Sequence, residues 1–205
     1  RDCLGRRGWG HGDEEIIDRE EAIAWFALDG VGKSAARFGI PRLENLNSHY
    51  ICAMDEAELC ELLAAQLSQA YDRDLSDVEA ARLPLALDAL KERAKTLVEL
   101  ADKAGFLLDG RPLALEEKAA KLLEGDAPAI LARAHAALSA VEDWNLDTLT
   151  EATRGLAEAE GLKLGKLAQP LRAALTGRNA SPGIFEVLYF LGRRESLDRI
   201  GDHMA

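Results

Sequence analysis

The chain is poorly supplied with the parts of a sheet, a disulfide framework or a metal site. It has three cysteines, Cys3, Cys52 and Cys60. An odd count without Cys-x-x-Cys spacing gives neither a disulfide scaffold nor a zinc cage. Cys52 with His49 falls short of the four ligands a structural zinc needs, so both read as ordinary helix residues. Thiols used this way imply a reducing, cytoplasmic setting. Aromatic side chains make up only 5% of the 205 residues, and no alternating run of Val, Ile and Thr is long enough for a sheet strand. No apolar run approaches a membrane span, and no secretory pattern opens the chain.

Catalytic signatures are also missing. There is no Gly-x-Ser-x-Gly, no His-Glu-x-x-His and no glycine-rich dinucleotide loop. Gly32-Lys33-Ser34 resembles the end of a phosphate-binding loop, but Ala27 stands where that motif needs its first glycine. The residues before it read as helix rather than as the required strand. A turn, with Ser34 capping a short helix, accounts for the segment. The adjacent carboxylates Glu14-Glu15 and Glu116-Glu117 suit solubility and helix N-terminal charge. Taken alone, the chain reads as a binding module, and a small ATP-binding enzyme is a rival that absence of ATP binding would dismiss.

What the chain does contain is Leu, Ala and a series of helix caps. Apolar residues reach 48%, enough for a core. Asp18 and Glu21 form a capping box before a helix expected to bury Ile23, Phe26 or Trp25, and Leu28. Pro41 opens a helix whose inner face carries Leu43, Leu46 and either Tyr50 or Ile51. Asp55 caps a helix with Leu59, Leu62, Leu63 and Leu67 inward, and residues 68–77 read as a loop. Ser76 with Glu79, and Thr96 with Glu99, form two further boxes. Pro84 predicts a kink or a restart. Gly125 ends another helix, Asp126 caps the next, and Asn145 or Thr148 caps the one after. Trp144 reads as a core plug between helices. The plan is all-α: about ten short helices with short connections.

Charge separates the last quarter from the rest. A net charge of −11 excludes a non-specific nucleic-acid binder. Yet between Lys163 and Arg178 there are four basic side chains and no acidic one. Ser181-Pro182 reads as a capped helix start. It sets Arg172, Arg178 and Asn179 beside an exposed helix N-terminus, with its unpaired N–H groups and partial positive charge. Such a place suits phosphates or base edges of a single-stranded loop. Arg93 falls in a junction just before the helix at Leu97. Spacing alone leaves it either a solvated surface arginine or a free guanidinium poised for a ligand.

Five segments then fall in order: GWGHGDEE, FALDGVGKSAARF, RLENLNSHYI, ERAKTLVELAD and LKLGKLAQPLRAALTGR…SPGIFEVLYFLGR. Together they closely resemble the C-terminal half of bacterial glutamyl-tRNA synthetases, over nearly the whole chain. The resemblance implies that residues 1–54 are the remainder of a stem-contact region. Residues 55–114 and 115–205 would be two helical subdomains of an anticodon-binding cage. The HIGH-type and KMSK-type signatures of the family's catalytic domain are absent, so the chain reads as a fragment of a longer protein, non-catalytic alone and without a cofactor of its own. ATP and Mg would belong to the catalytic domain. The partners implied are tRNA-Glu, through anticodon loop and stem, and the protein's own N-terminal catalytic domain. The expected state is a cytoplasmic monomer with no membrane partner.

By the same resemblance, Arg93 matches the arginine that reads the first anticodon base in the type that discriminates tRNA-Glu from tRNA-Gln. Arg172 matches a contact to the middle base. Ser181, Pro182 and Ile184 match the turn and helix start that meet the second and third bases. Arg154 matches another arginine near the bound loop. Lys163, Lys166 and Arg178 are candidates for phosphate contact at most. One departure is Gly5-Arg6-Arg7, where the family pattern leads to expect a helix ending in Leu-Gly-Trp. A helical protein–protein module that no longer reads tRNA would share this fold, and is the alternative reading.

Overall fold

The computed structural model describes residues 17–31 and 39–204. Cys3, Arg6, Arg7, the His11 turn, Glu14-Glu15 and Gly32-Lys33-Ser34 lie outside those residues. Among the described residues there are eleven α-helices, two short 3-10 turns and no β-strand. The chain divides into two compact units, Arg1–Met54 and Asp55–Ala205.

In the first unit, α1 (Arg19–Trp25) starts at the expected Asp18/Glu21 box, where the Glu21 N–H donates to Asp18 Oδ1 at 2.6 Å. The expected burial on this helix does not occur. Ile23, Phe26 and Leu28 are all more than half exposed. Two turns of helix end at Trp25, so Phe26 and Leu28 leave the helical face. Leu28–Gly30 forms a 3-10 turn, and α2 (Ile40–Ala53) has its proline in the first turn. Of the two alternatives on α2, Ile51 is buried and Tyr50 is exposed; Leu43 is exposed as well.

The second unit begins with α3 (Glu56–Tyr71), capped by Asp55 through the N–H groups of Ala57 and Glu58. Leu59, Leu63 and Leu67 are fully buried at the helical spacing, while Leu62 faces outward. The helix runs four residues past the expected loop boundary. Tyr71 explains the extension: its hydroxyl donates to Asp109 Oδ1 at 2.7 Å and lies 3.2 Å from the Gly105 carbonyl. Burial and that bond to Asp109 push the phenol pKa well up. The turn closes at Asp72, in the left-handed region.

Helix α4 (Asp77–Lys91) starts at the reciprocal Ser76/Glu79 box and runs through Pro84 without restarting. Helix α5 (Leu97–Ala104) follows and passes into a 3-10 turn at Gly105–Leu107. Thr96 accepts the Glu99 N–H, but the Glu99 carboxylate takes the N–H of Lys95 rather than of Thr96. Helices α3, α4 and α5 pack on one another.

The remainder is α6 (Glu117–Leu122), α7 (Ala127–Ser139), α8 (Leu146–Ala159), α9 (Leu164–Thr176), α10 (Ile184–Leu191) and α11 (Arg193–Gly201). Asp126 precedes α7 but is itself helical and makes no side-chain cap, against expectation. Asn145 and Thr148 cap α8 together. Trp144 is anchored by its indole N–H, which donates to the Leu188 carbonyl at 2.9 Å. Helix α10 packs against α4 as well as α8, α9 and α11, so it joins the early and late helices of this unit into one core. Five of its eight residues are buried.

A buried cation ties the same halves. Arg199 on α11 is 1% exposed and donates to the carbonyls of Phe106, Leu175 and Asp109 at 2.7–2.8 Å. Burial pulls its pKa down, and the Glu195 carboxylate at 2.6 Å opposes that. The Leu175 carbonyl lies in the last turn of α9 and the Phe106 carbonyl in the 3-10 turn, where helical donors run out, and Asp109 follows two residues after that turn.

Candidate nucleic-acid interface

Helix α9 ends because of a glycine. Gly177 has φ +68°, and a Cβ there would overlap the Ala114 carbonyl oxygen. Only glycine satisfies both demands. Its N–H donates to the Ala173 carbonyl, closing the helix in the left-handed cap. The chain then runs from Arg178 to Gly183 in a turn held at several points.

Thr176 donates its hydroxyl back to the Arg172 carbonyl at 2.8 Å and accepts the Arg178 N–H at 3.2 Å. Glu116 clamps the turn from outside. Its N–H donates to the Gly177 carbonyl at 2.8 Å, and its carboxylate accepts the Asn179 N–H at 3.2 Å. Glu116 is thus more than the solubilising charge that its sequence context suggests. At the far end, the Gly183 N–H donates to Glu186 Oε2 at 2.8 Å, and α10 begins at Ile184.

Ser181 is therefore not the helix cap. The cap position is Gly183, and the donor there is satisfied by Glu186 three residues on. The Ser181 hydroxyl instead donates to the Pro182 carbonyl at 2.9 Å. Its own carbonyl accepts from Arg93 Nη1 at 3.3 Å. Arg93 stands in the connection between α4 and α5, with its N–H on the Leu90 carbonyl. Two segments 88 residues apart thus meet across a cleft of about 250 Å³.

The cleft is lined by Arg93, Lys103 and Arg178, by the carboxylates Asp102 and Glu116, and by the Asn179–Pro182 turn over Leu90 and Phe106. Arg178 pairs with Asp102 at 3.2 Å. The mixture offers donors for base oxygens, ring nitrogens and phosphates, acceptors for base amino groups, and an apolar floor. Its volume lies just under the roughly 300 Å³ at which small-molecule pockets begin, a size for one base or one phosphate.

Arg172 lies one turn before the end of α9. Its Nε is buried and has no hydrogen-bond partner among the described residues. Burial lowers its pKa, and the charge of Arg93 lowers it further. Pro182 is buried and helps line the cleft. Ile184 is 5% exposed and belongs to the core at the start of α10. Arg154 is exposed on α8, with its guanidinium carbon 5.9 Å from the centroid of the Phe185 ring. Lys163 and Lys166 are exposed at the opposite end of α9. The rise of an α-helix puts them roughly 20 Å from the Arg178 turn. The structure therefore brings Arg93, Arg178, Ser181 and Pro182 to one cleft, with Arg172 outside its lining one turn earlier on α9, and leaves Lys163 and Lys166 at the other end of that helix. Asp102, Lys103 and Glu116 belong to the cleft too, although no local pattern marks them.

Comparison with known proteins decides the family. A family profile described as "Anticodon binding domain" matches residues 58–204. The chain belongs to the anticodon-binding domain family. Over its length it is similar to "Glutamate--tRNA ligase 2" of Rhizorhabdus wittichii, 50% identical over 202 residues, which cover 98% of this chain and 43% of that protein. It is similar also to "Glutamate--tRNA ligase 2" of Brucella ovis, 51% identical over 210 residues and covering 44% of that protein. The chain thus spans less than half the length of the curated relatives it matches. Among solved structures, a glutamate tRNA ligase from Elizabethkingia meningosepticum in complex with its amino acid superposes with a TM-score of 0.84 at 26% identity, over 99% of this chain and 40% of that one. The profile of the anticodon-binding domain family covers both segments of the cleft, Arg93 and the turn at residues 178–183.

Two further features bear on chemistry. Among the described residues no group of His, Cys, Asp or Glu is arranged to hold a metal ion. None of the described helices is long and apolar enough to cross a membrane.

Proposed function

We propose that this chain reads the anticodon loop of tRNA-Glu as part of a glutamate–tRNA ligase. The observation that carries the proposal is the convergence of Arg93 and the Ser181 turn on one cleft inside an anticodon-binding domain. An anticodon loop offers splayed bases, which proteins recognise by edge hydrogen bonds and stacking. Arg93 reads the first base, and its presence fits an enzyme that prefers tRNA-Glu to tRNA-Gln. Arg172, with a buried Nε awaiting an acceptor, reads the middle base. The Ser181-Pro182 turn meets the second and third, and Ile184 acts by fixing the helix start below it. Arg154 borders the bound loop, and Arg178 takes a phosphate. Lys163 and Lys166 steer the tRNA from the other end of α9.

Attachment of glutamate, with its ATP and Mg, belongs in this reading to a catalytic domain outside these residues, with which the chain acts in the cytoplasm as a monomer. The planar, fixed donors of Arg suit base recognition better than Lys does. Binding of tRNA-Glu transcripts with single anticodon substitutions tests the proposal. Each substitution is expected to weaken binding by about 1–3 kcal/mol, the scale of base-specific contacts. Binding indifferent to the anticodon sinks it and favours the protein–protein module. An aminoacylation assay of the full-length protein on tRNA-Glu and tRNA-Gln tests the discrimination.

A further inference from the structure

Asp102 is a residue that its own helix does not want. It sits in the last turn of α5, where the carbonyl end of the helix disfavours a carboxylate. Its side chain is 70% exposed, so burial does not hold it there either. Its contact is with Arg178, through one bond of 3.2 Å from Nη1 to Oδ2. That bond is single, long and exposed on one side, the kind of ion pair that holds weakly.

Arg178, by contrast, is well placed up to its tip. Its backbone N–H is on Thr176, and it follows the glycine that ends α9. Its Nη2 runs over Gly105, 3.2 Å from where a Cβ would stand, with the Tyr71 hydroxyl 2.9 Å from the same point. The glycine leaves the passage open for the guanidinium. The other cleft carboxylate, Glu116, accepts a backbone N–H of the turn, and Arg93 is engaged with the Ser181 carbonyl. So Arg178 is the cleft cation paired with a cleft carboxylate that no backbone bond of the turn occupies.

We propose that Asp102 is an internal counter-anion, which occupies Arg178 in the free protein and is displaced by a backbone phosphate of the bound RNA loop. A phosphate offers a guanidinium two oxygens and a stronger pair than one exposed carboxylate does. Asp102 thereby penalises every RNA equally. Only an RNA whose bases also fit the cleft makes enough further contacts to overcome it. A uniform penalty leaves the difference in affinity between two RNAs unchanged; its effect is to lower occupancy by RNAs that bind weakly and independently of their bases. This inference rests on the anticodon-loop reading above.

The test is tRNA-Glu transcript binding to the 205-residue chain over a salt series, with wild type, Asp102→Asn, Arg178→Gln and the double variant. Asp102→Asn is expected to bind about two- to fivefold tighter at low salt, the scale of an exposed pair. The gain extends to a non-cognate tRNA. The salt slope steepens by up to about 0.7, because no cation is taken up by a freed carboxylate when RNA arrives. In the Arg178→Gln background the gain disappears. Unchanged or weaker binding by Asp102→Asn, or a gain that survives Arg178→Gln, overturns the inference. Weakening confined to one anticodon base also overturns it, and makes Asp102 a reader of a base amino group. If wild type binds no tRNA, the anticodon reading falls and this inference with it. If wild type binds with anticodon dependence and Asp102→Asn is neutral, this inference alone falls.

Discussion

Arg93 Nη1 donates to the Ser181 carbonyl at 3.3 Å, across 88 positions of sequence and between the two halves of the helical unit. Neither residue is marked for the other by any local pattern. The bond ties the α4–α5 junction to the turn after α9, and it places a guanidinium at the mouth of the cleft. The contact is long and exposed, so it is weak, and the guanidinium keeps donors to spare for a ligand.

Replacing Arg93 by Ala is therefore expected to leave folding stability within about 0.5 kcal/mol of wild type in urea denaturation, as for other exposed positions. Binding of tRNA-Glu should weaken by about 1–3 kcal/mol, and the preference at one anticodon base should relax. A uniform loss across all anticodon variants would reduce Arg93 to a phosphate contact.

Arg172 separates function from stability in a different way. Its buried Nε lacks a partner, and its charge faces that of Arg93. Arg172→Met keeps the apolar stem and removes both costs. Urea denaturation should show stability unchanged or raised by about 1 kcal/mol. Filter binding should show a loss of about 1–3 kcal/mol in discrimination at one base. A strongly destabilised Met variant would mean that the guanidinium supports the fold.

Gly177→Ala tests the geometry of the turn. The left-handed backbone costs an alanine about 1 kcal/mol, and the new Cβ would also overlap the Ala114 carbonyl. Total destabilisation of about 2–4 kcal/mol is expected from denaturant melts. A stability near wild type would show that the segment at Ala114 yields without cost.

Glu79 carries a pH dependence whose sign can be worked out. Hydrogen bonding to the Arg73 guanidinium, helped by Ser76, holds its pKa down at about 2, against the opposing effect of burial. An unfolded glutamate titrates near about 4.3. The folded state therefore binds its proton less readily. The stabilisation is present above the unfolded value and is lost as pH falls through about 4 towards 2. Glu79→Gln should cost about 1 kcal/mol at pH 7, the scale of a lost capping interaction. The gap from wild type should close near pH 2 in thermal melts. A gap that is the same at both pH values would assign the effect to shape rather than charge.

Several elements could be read directly from the chain. The caps at Asp18, Asp55, Ser76 and Asn145 all occur as expected, because a cap is a contact between residues two or three apart. The buried Leu59, Leu63 and Leu67 follow from helical period. Leu62 does not, since being apolar says nothing about whether a neighbouring helix covers that side. Tyr71 was hidden for the same reason: its partners Gly105 and Asp109 lie more than thirty residues away. Ser181 misled because Ser-Pro is a common helix start, while Glu186 reaching back to Gly183 moved the true start two residues on.

Local sequence specifies the helical class, the caps, the basic island before Arg178 and, through its ordered motifs, the family. Those features depend on local spacing, and on side-chain chemistry that each residue carries wherever it is placed. Which basic residues share a cleft follows from tertiary packing. Packing joins Arg93 and Arg178 to the Ser181 turn, sets Lys163 and Lys166 apart, and supplies Asp102 and Glu116. Those relationships depend on how α4, α5, α9 and α10 pack, and packing brings together residues that spacing along the chain leaves unrelated.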